Sequence, residues 1–110
     1  MRYFVTGEYV EPGPLMQPQQ VAQMIDQLVI PSLEKMAALE KEKKIVAGGI
    51  VTGARAGLFV IEASSNEEVT KLLMSFPFWG LLKWDVKPLD SFDNRAKRER
   101  EDIDRLKKTV

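Results

Sequence analysis

The sequence contains no cysteine and no histidine. Without thiols the chain can form no disulfide, no thiolate nucleophile and no zinc–cysteine site. Without imidazole it lacks the usual general base near neutral pH and the commonest transition-metal ligand. Acid–base chemistry then falls to Asp, Glu, Lys, Tyr or water. A metal would need oxygen ligands, and the sequence has no D-x-D-x-D-G run or similar cluster, so neither metal nor cofactor is expected. An excess of one charge is also missing. Its 16 basic and 16 acidic side chains balance, leaving no global field to attract nucleic acid or an anionic membrane. No apolar run approaches the roughly 18 residues of a membrane span. Residues Met1 to Glu8 hold no signal-peptide core. A cytoplasmic domain is the expectation.

What is present suffices for one core. Apolar residues make up 45% of 110 positions, enough for a single domain and too few residues for two. Residues 2–10 are β-branched and aromatic, reading as a strand. Period two puts Tyr3, Val5, Gly7 and Tyr9 on one face and Arg2, Phe4, Thr6 and Glu8 on the other. Glu11-Pro-Gly-Pro14 ends the strand in a loop. Residues 18–43 read as helical, with Val21, Met24, Ile25, Leu28, Val29, Leu33 and Met36 at helical spacing. Pro31 lies in the middle and predicts a kink or two abutting helices. The lysines of Glu40–Lys44 suit a solvated helix end.

Residues 45–53 predict a second strand, in which Gly48 and Gly49 signal a bulge or a close backbone approach. After a short turn at 54–57, residues 58–63 complete a hairpin. Ser65 is a good helix N-cap, with Glu68 three positions on as its capping-box partner. That helix runs to about Ser75 and stops at Phe76-Pro-Phe-Trp-Gly80. Residues 81–89 alternate as a fourth strand, with Leu82, Trp84 and Val86 on one face.

The order β-α-β-β-α-β is the split βαβ of ferredoxin-like α+β domains, with a four-stranded antiparallel sheet. Right-handed crossovers put both helices on one side of it. Strands two and three are nevertheless apolar on both faces, through Ile45, Val46, Ile50 and Val51, then Leu58, Phe59, Val60 and Ile61. A second copy covering the open face explains this, giving a homodimeric α+β barrel or a larger homo-oligomer. Residues 1–90 make up the domain and 91–110 a charged C-terminal tail. Its stretch Arg95–Lys108 can form a helix, but the apolar spacing at Phe92, Ala96, Ile103 and Leu106 is thin and makes no continuous stripe. It is either a solvated helix or an arm that packs on a partner.

The stretch Gly57-Leu-Phe-Val-Ile-Glu-Ala-Ser-Ser-Asn-Glu-Glu-Val-Thr-Lys-Leu-Leu-Met-Ser-Phe-Pro-Phe-Trp79 resembles the muconolactone isomerase family, as does Trp84-Asp-Val-Lys-Pro-Leu89. Shared features are a strand, a Ser/Asn-rich cap, a Leu-Leu pair, a Pro-Phe turn and a last strand closing on Pro-Leu. The resemblance runs from about residue 2 to residue 92 and is clearest over 57–89. It implies a dimeric α+β barrel, often built into larger rings, that isomerises a small unsaturated lactone by proton transfer. The family's isomerases carry polar and basic side chains, histidine among them, on the first strand and helix. This chain has Phe4, Thr6 and Glu8 on the strand and Ile25, Leu28, Val29 and Ile30 on the helix.

Two functional readings stay open. In the first, a pocket between sheet and helices binds a small carboxylate or lactone and is lined by Phe4, Glu8, Trp79 and Trp84. There an inward Glu8 is the candidate catalytic group for proton transfer. Arg55, in the turn between strands two and three, is the candidate anchor for a carboxylate. Tyr3 and Tyr9 either orient a ligand or pack in the core. In the second reading the domain is no enzyme but an assembly module that makes contacts through its tail. The glycines at 48, 49, 53 and 57 form no phosphate-binding motif. The tail's Arg95, Lys97, Arg98 and Arg100 alternate with acids and lack aromatics, so neither nucleic acid nor membrane is an expected partner.

Overall fold

A computed structural model describes residues 1–10 and 16–109; the loop expected at 11–14 lies outside them. Strand β1 (Arg2–Tyr9) leads to helix α1 (Pro18–Met24), a π-helical turn (Ile25–Val29) and helix α2 (Ile30–Lys41). Strands β2 (Ile45–Ile50) and β3 (Ala56–Glu62) form a hairpin. Helix α3 (Asn66–Met74), a single 3-10 turn (Trp79–Leu81), strand β4 (Leu82–Leu89) and helix α4 (Phe92–Lys108) complete the chain. The sheet is ordered β2-β3-β1-β4, with every pair antiparallel. This is the expected ferredoxin-like α+β arrangement.

Pro31 acts one turn earlier than a simple kink. Having no N–H, it cannot donate to the preceding turn. The helix widens instead, and the Ile30 N–H reaches back five residues to the Ile25 carbonyl. Ser32 then reinforces the junction. Its hydroxyl donates to the Leu28 carbonyl at 2.6 Å and accepts the buried Phe78 N–H at 3.0 Å. Ser32→Ala would leave that N–H without a partner, a loss of about 1–3 kcal/mol. Chemical denaturation should show this as a lower midpoint with an unchanged slope; an unchanged midpoint would mean that water replaces the hydroxyl.

The core lies on one side of the sheet. Tyr3 and Val5 of β1, Phe59 and Ile61 of β3, and Val69 and Leu73 of α3 are buried together, with Leu28, Val29, Met36 and Leu39 packed against them. The odd-numbered face of β1 therefore meets the helices. A bulge at Val46 shifts the β2–β3 register between Ile45 and Ala47. Gly48, at φ +142°, lies directly against β3. The glycine pair thus signalled two features, which occupy neighbouring positions. On the opposite sheet face, Leu58 is 40% exposed, and among the described residues no helix covers it.

Helix α3 begins as its cap predicts, with the Glu68 N–H donating to the Ser65 hydroxyl at 3.1 Å. The reciprocal bond goes elsewhere. The Glu68 carboxylate accepts from the Ser64 N–H at 2.7 Å, the Ser64 hydroxyl at 2.6 Å and the Lys44 ammonium at 2.7 Å. Lys44 is therefore an ion-pair partner tying the start of β2 to α3, not merely part of a solvated helix end. The hydrogen bond from Lys44 and then those from Ser64 hold the Glu68 carboxyl down at about 2, against an ordinary 4.5. A lowered folded-state value stabilises the fold above the ordinary range, and that contribution disappears as pH falls through the folded value. The melting temperature should thus decline between about pH 4.5 and pH 2, and Glu68→Gln should flatten that decline. A variant whose pH profile matches the parent's would remove Glu68 from the account.

Candidate functional site

The helices leave one end of the sheet imperfectly filled. There, between α2, the π-helical turn and the β2–β3 hairpin, lies a cavity of about 190 Å³. Its walls are Val29, Leu33 and Met36 from the helical side and Gly7, Ile50, Phe59 and Leu82 from the sheet. Phe78 closes the far side, fixed there by its N–H bond to Ser32. An engineered apolar cavity of about 150 Å³ holds benzene, so this space suits a single six- or five-membered ring with a small substituent.

Tyr9 and Arg55 supply its only polar side chains among the described lining residues. Strand and turn are stitched together there, since the Tyr9 N–H donates to the Arg55 carbonyl at 2.9 Å. The Arg55 guanidinium lies over the Tyr9 ring, 5.6 Å from its centroid, an arrangement that orients a cation at an apolar rim. The Tyr9 hydroxyl donates to the Met24 sulfur at 3.5 Å, a weak bond that a better acceptor displaces easily. Among the described residues Arg55 has no acidic partner within ion-pair distance. Among the described residues the site is thus an apolar chamber with a cation at its edge that has no acidic partner.

The sequence-derived candidates separate. Arg55 lines the cavity. Phe4 and Glu8 lie on the other sheet face, because Tyr3 and Tyr9 point to the helices and strand residues alternate. Glu8 is exposed there, paired in register with Lys83 and Ala56, so the expectation of an inward Glu8 is corrected. Trp84 shares the helix side but stands behind the cavity. It stacks on Phe76 at 6.3 Å and meets Phe59 and Phe78 edge-on at 6.4 and 6.1 Å. The absence of a side chain at Gly7 admits its ring, which a Cβ would meet at 2.9 Å. Trp79 is 42% exposed, and its carbonyl accepts the Trp84 indole N–H at 3.1 Å. The tryptophans thus support the wall without lining it. The residues that do line it, Leu33, Met36, Phe59 and Phe78, read in the sequence as ordinary core.

A second cavity of about 280 Å³ lies between α3 and β4. Its polar groups bond to one another, with the Tyr3 hydroxyl donating to the Asn66 side chain at 3.0 Å and the Thr70 hydroxyl to the Asn66 carbonyl at 3.1 Å. It presents no charge to a ligand. Among the described residues no group of three or more acidic side chains is arranged to hold a metal, and no helix is long and apolar enough to cross a membrane.

Known structures share this scaffold. A crystal structure of muconolactone isomerase superposes with a TM-score of 0.67 at 22% identity, covering 83% of this chain and 90% of that one. A 5-chloro-2-hydroxyhydroquinone dehydrochlorinase from Burkholderia phenoliruptrix, in complex with 2,5-dihydroxybenzoquinone, superposes at 0.57 with 20% identity, covering 86% and 98%. No curated protein matches the chain. At these identities the superpositions establish the fold. The family model for muconolactone delta-isomerase matches residues 1–95, which span every element of the sheet and its helical cover, and the chain therefore belongs to the muconolactone delta-isomerase family.

Proposed function

We propose that this domain binds a small anionic ring compound, a carboxylate-bearing lactone or another cyclic carboxylate, in the cavity beside the β2–β3 hairpin. The carrying observation is the guanidinium of Arg55, the only charged group among the described lining residues, at the mouth of an apolar chamber about 190 Å³ in size. The ring would sit against Phe59, Phe78, Leu33 and Met36, and its carboxylate would take the Arg55 fork. Family membership supports small-molecule processing, and the reaction that fits this ligand class is a proton shift that moves a double bond. Such a shift needs a base, and the described cavity walls supply no carboxylate.

A role for Glu8 in proton transfer therefore belongs to the open sheet face. A homodimer pairing through that face would enclose Glu8 together with the apolar surface of Leu58 and Val46, 40% and 41% exposed in the single chain. Calorimetric titration with small ring carboxylates and their neutral esters tests the binding reading. Carboxylates should bind and esters should not; equal affinity for both removes Arg55 from recognition. Glu8→Gln should leave that binding unchanged, because Glu8 lies across the sheet from the cavity, and should abolish only the turnover of a substrate held at the paired face itself. Sedimentation at high dilution tests the pairing, which a folded monomer would refute.

A further inference from the structure

We infer that α4 pairs antiparallel with α4 of a second copy of this chain. The helix stands apart from the domain, buries none of its residues and extends the molecule to 67 Å along its longest axis. The match to the family ends at residue 95, so all but the first turn of α4 lies beyond the matched region. Its apolar positions are nonetheless ordered. Phe92, Ala96, Ile103 and Leu106, with Glu99 between them, follow alternating steps of four and three, the seam spacing of a two-helix coiled coil. Phe92 is 97% exposed, Ile103 50% and Leu106 61%.

The flanking charges choose the orientation. Beside the seam stand Asp93, Arg100 and Lys107 on one flank, Arg95 and Asp102 on the other. Two parallel helices in register would set Glu99 against its own copy and Arg95 against Arg100, with Asp102 and Lys107 as their one opposite-charge contact. An antiparallel pair overlapping over residues 92–103 instead places Phe92 against the partner's Ile103 and Ala96 against the partner's Glu99, with Leu106 beyond the overlap. Asp93 then faces the partner's Arg100, and Arg95 faces the partner's Asp102, each contact made twice by symmetry. Every flanking contact in this register joins opposite charges. Sliding the pair one heptad further apart would oppose Arg100 to itself and Asp102 to itself. The existing bonds within each helix, Arg95 to Glu99 at 2.9 Å and Arg105 to Asp102 at 3.1 Å, are compatible with the favoured register because they run along the helix. A helix this short pairs weakly alone, but linkage to a domain that pairs through its sheet, as proposed above, would raise its effective concentration.

Charge exchange in the full-length chain tests the inference. Arg95→Glu and Asp102→Arg should each weaken self-association about tenfold in low salt, by turning two attractive contacts into two repulsive ones. The double variant should restore it. Within one helix these positions are two turns apart, about 10 Å, so rescue must arise between chains. Single variants that assemble like the parent, or a double variant no better than either single, would overturn the pairing. Cross-linking reports orientation, since the chain has no cysteine of its own. A mixture of Ala96→Cys and Glu99→Cys chains should form mainly the mixed disulfide. Predominant Ala96→Cys homodimers would indicate parallel helices and reject the antiparallel register. Binding of a ring carboxylate in the domain cavity should be the same in all these variants, which separates this result from that of the proposed function.

Discussion

Gly48→Ala should lower the melting temperature by more than about 10 °C, the largest loss expected from a single methyl group anywhere in this domain. Two independent costs coincide at that position. The backbone has φ +142°, a conformation that L side chains rarely adopt, and such strain costs about 1–3 kcal/mol. A Cβ would also lie 2.4 Å from the Leu58 carbonyl oxygen and 2.6 Å from Phe59 Cα. Those are backbone atoms inside a strand ladder and cannot swing aside, so relief requires separating β2 from β3. Forced overpacking of this kind costs a further 1–3 kcal/mol or so. Together they remove a large part of the roughly 5–15 kcal/mol that stabilises an ordinary domain. Gly49→Ala is the matched control. Nothing lies within 4 Å of a Cβ there, so its melting temperature should stay close to the parent's. Equal, small effects at both positions would show that the hairpin has another packing available.

That glycine pair also marks the limit of sequence reasoning about this fold. Consecutive glycines within an apolar run announce that two backbones approach, but not which glycine makes the contact; register decides, and here the bulge at Val46 sets the register. Pro31 is similarly informative about the existence of a helix defect, whereas the π-helical turn beside it is tied through Ser32 to Phe78 of a distant segment. The placement of the helices on one side of an antiparallel sheet follows from crossover handedness.

The site was less legible for a definable reason. Alternation on β1 separates Phe4, Thr6 and Glu8 from Tyr3, Val5 and Tyr9 unambiguously, but both sets contain aromatic or apolar residues, so composition alone does not say which face the helices cover. Trp84 settles the question in the structure by packing over Gly7, opposite it in register. A small residue on one strand opposite a large aromatic on the next was the available signal, and it places Glu8 away from the helices. Arg55 was recoverable from local sequence because a turn residue's position depends little on which face is buried. Leu33 and Met36 could not be distinguished from core residues, since a cavity wall and a packed core share the same helical spacing.

Arg55→Met should weaken binding of a small ring carboxylate by about 10- to 100-fold, the equivalent of the roughly 1.5–3 kcal/mol of a hydrogen bond to a charged group. Methionine preserves much of the aliphatic stem at the cavity rim, so apolar contact survives and the loss measures the guanidinium itself. Arg55 is exposed and has no ion-pair partner among the described residues. Its replacement should therefore change stability by no more than about 0.5 kcal/mol, so lost binding would not reflect lost folding. Arg55→Lys separates charge from shape. Lysine keeps the positive charge but cannot form the two-pronged contact or lie flat over the Tyr9 ring, and it should recover only part of the affinity. A neutral ester of the same ring should be indifferent to all three residues at this position. If Arg55→Met instead binds the carboxylate as tightly as the parent, the guanidinium plays no part in recognition and the apolar chamber alone accounts for it.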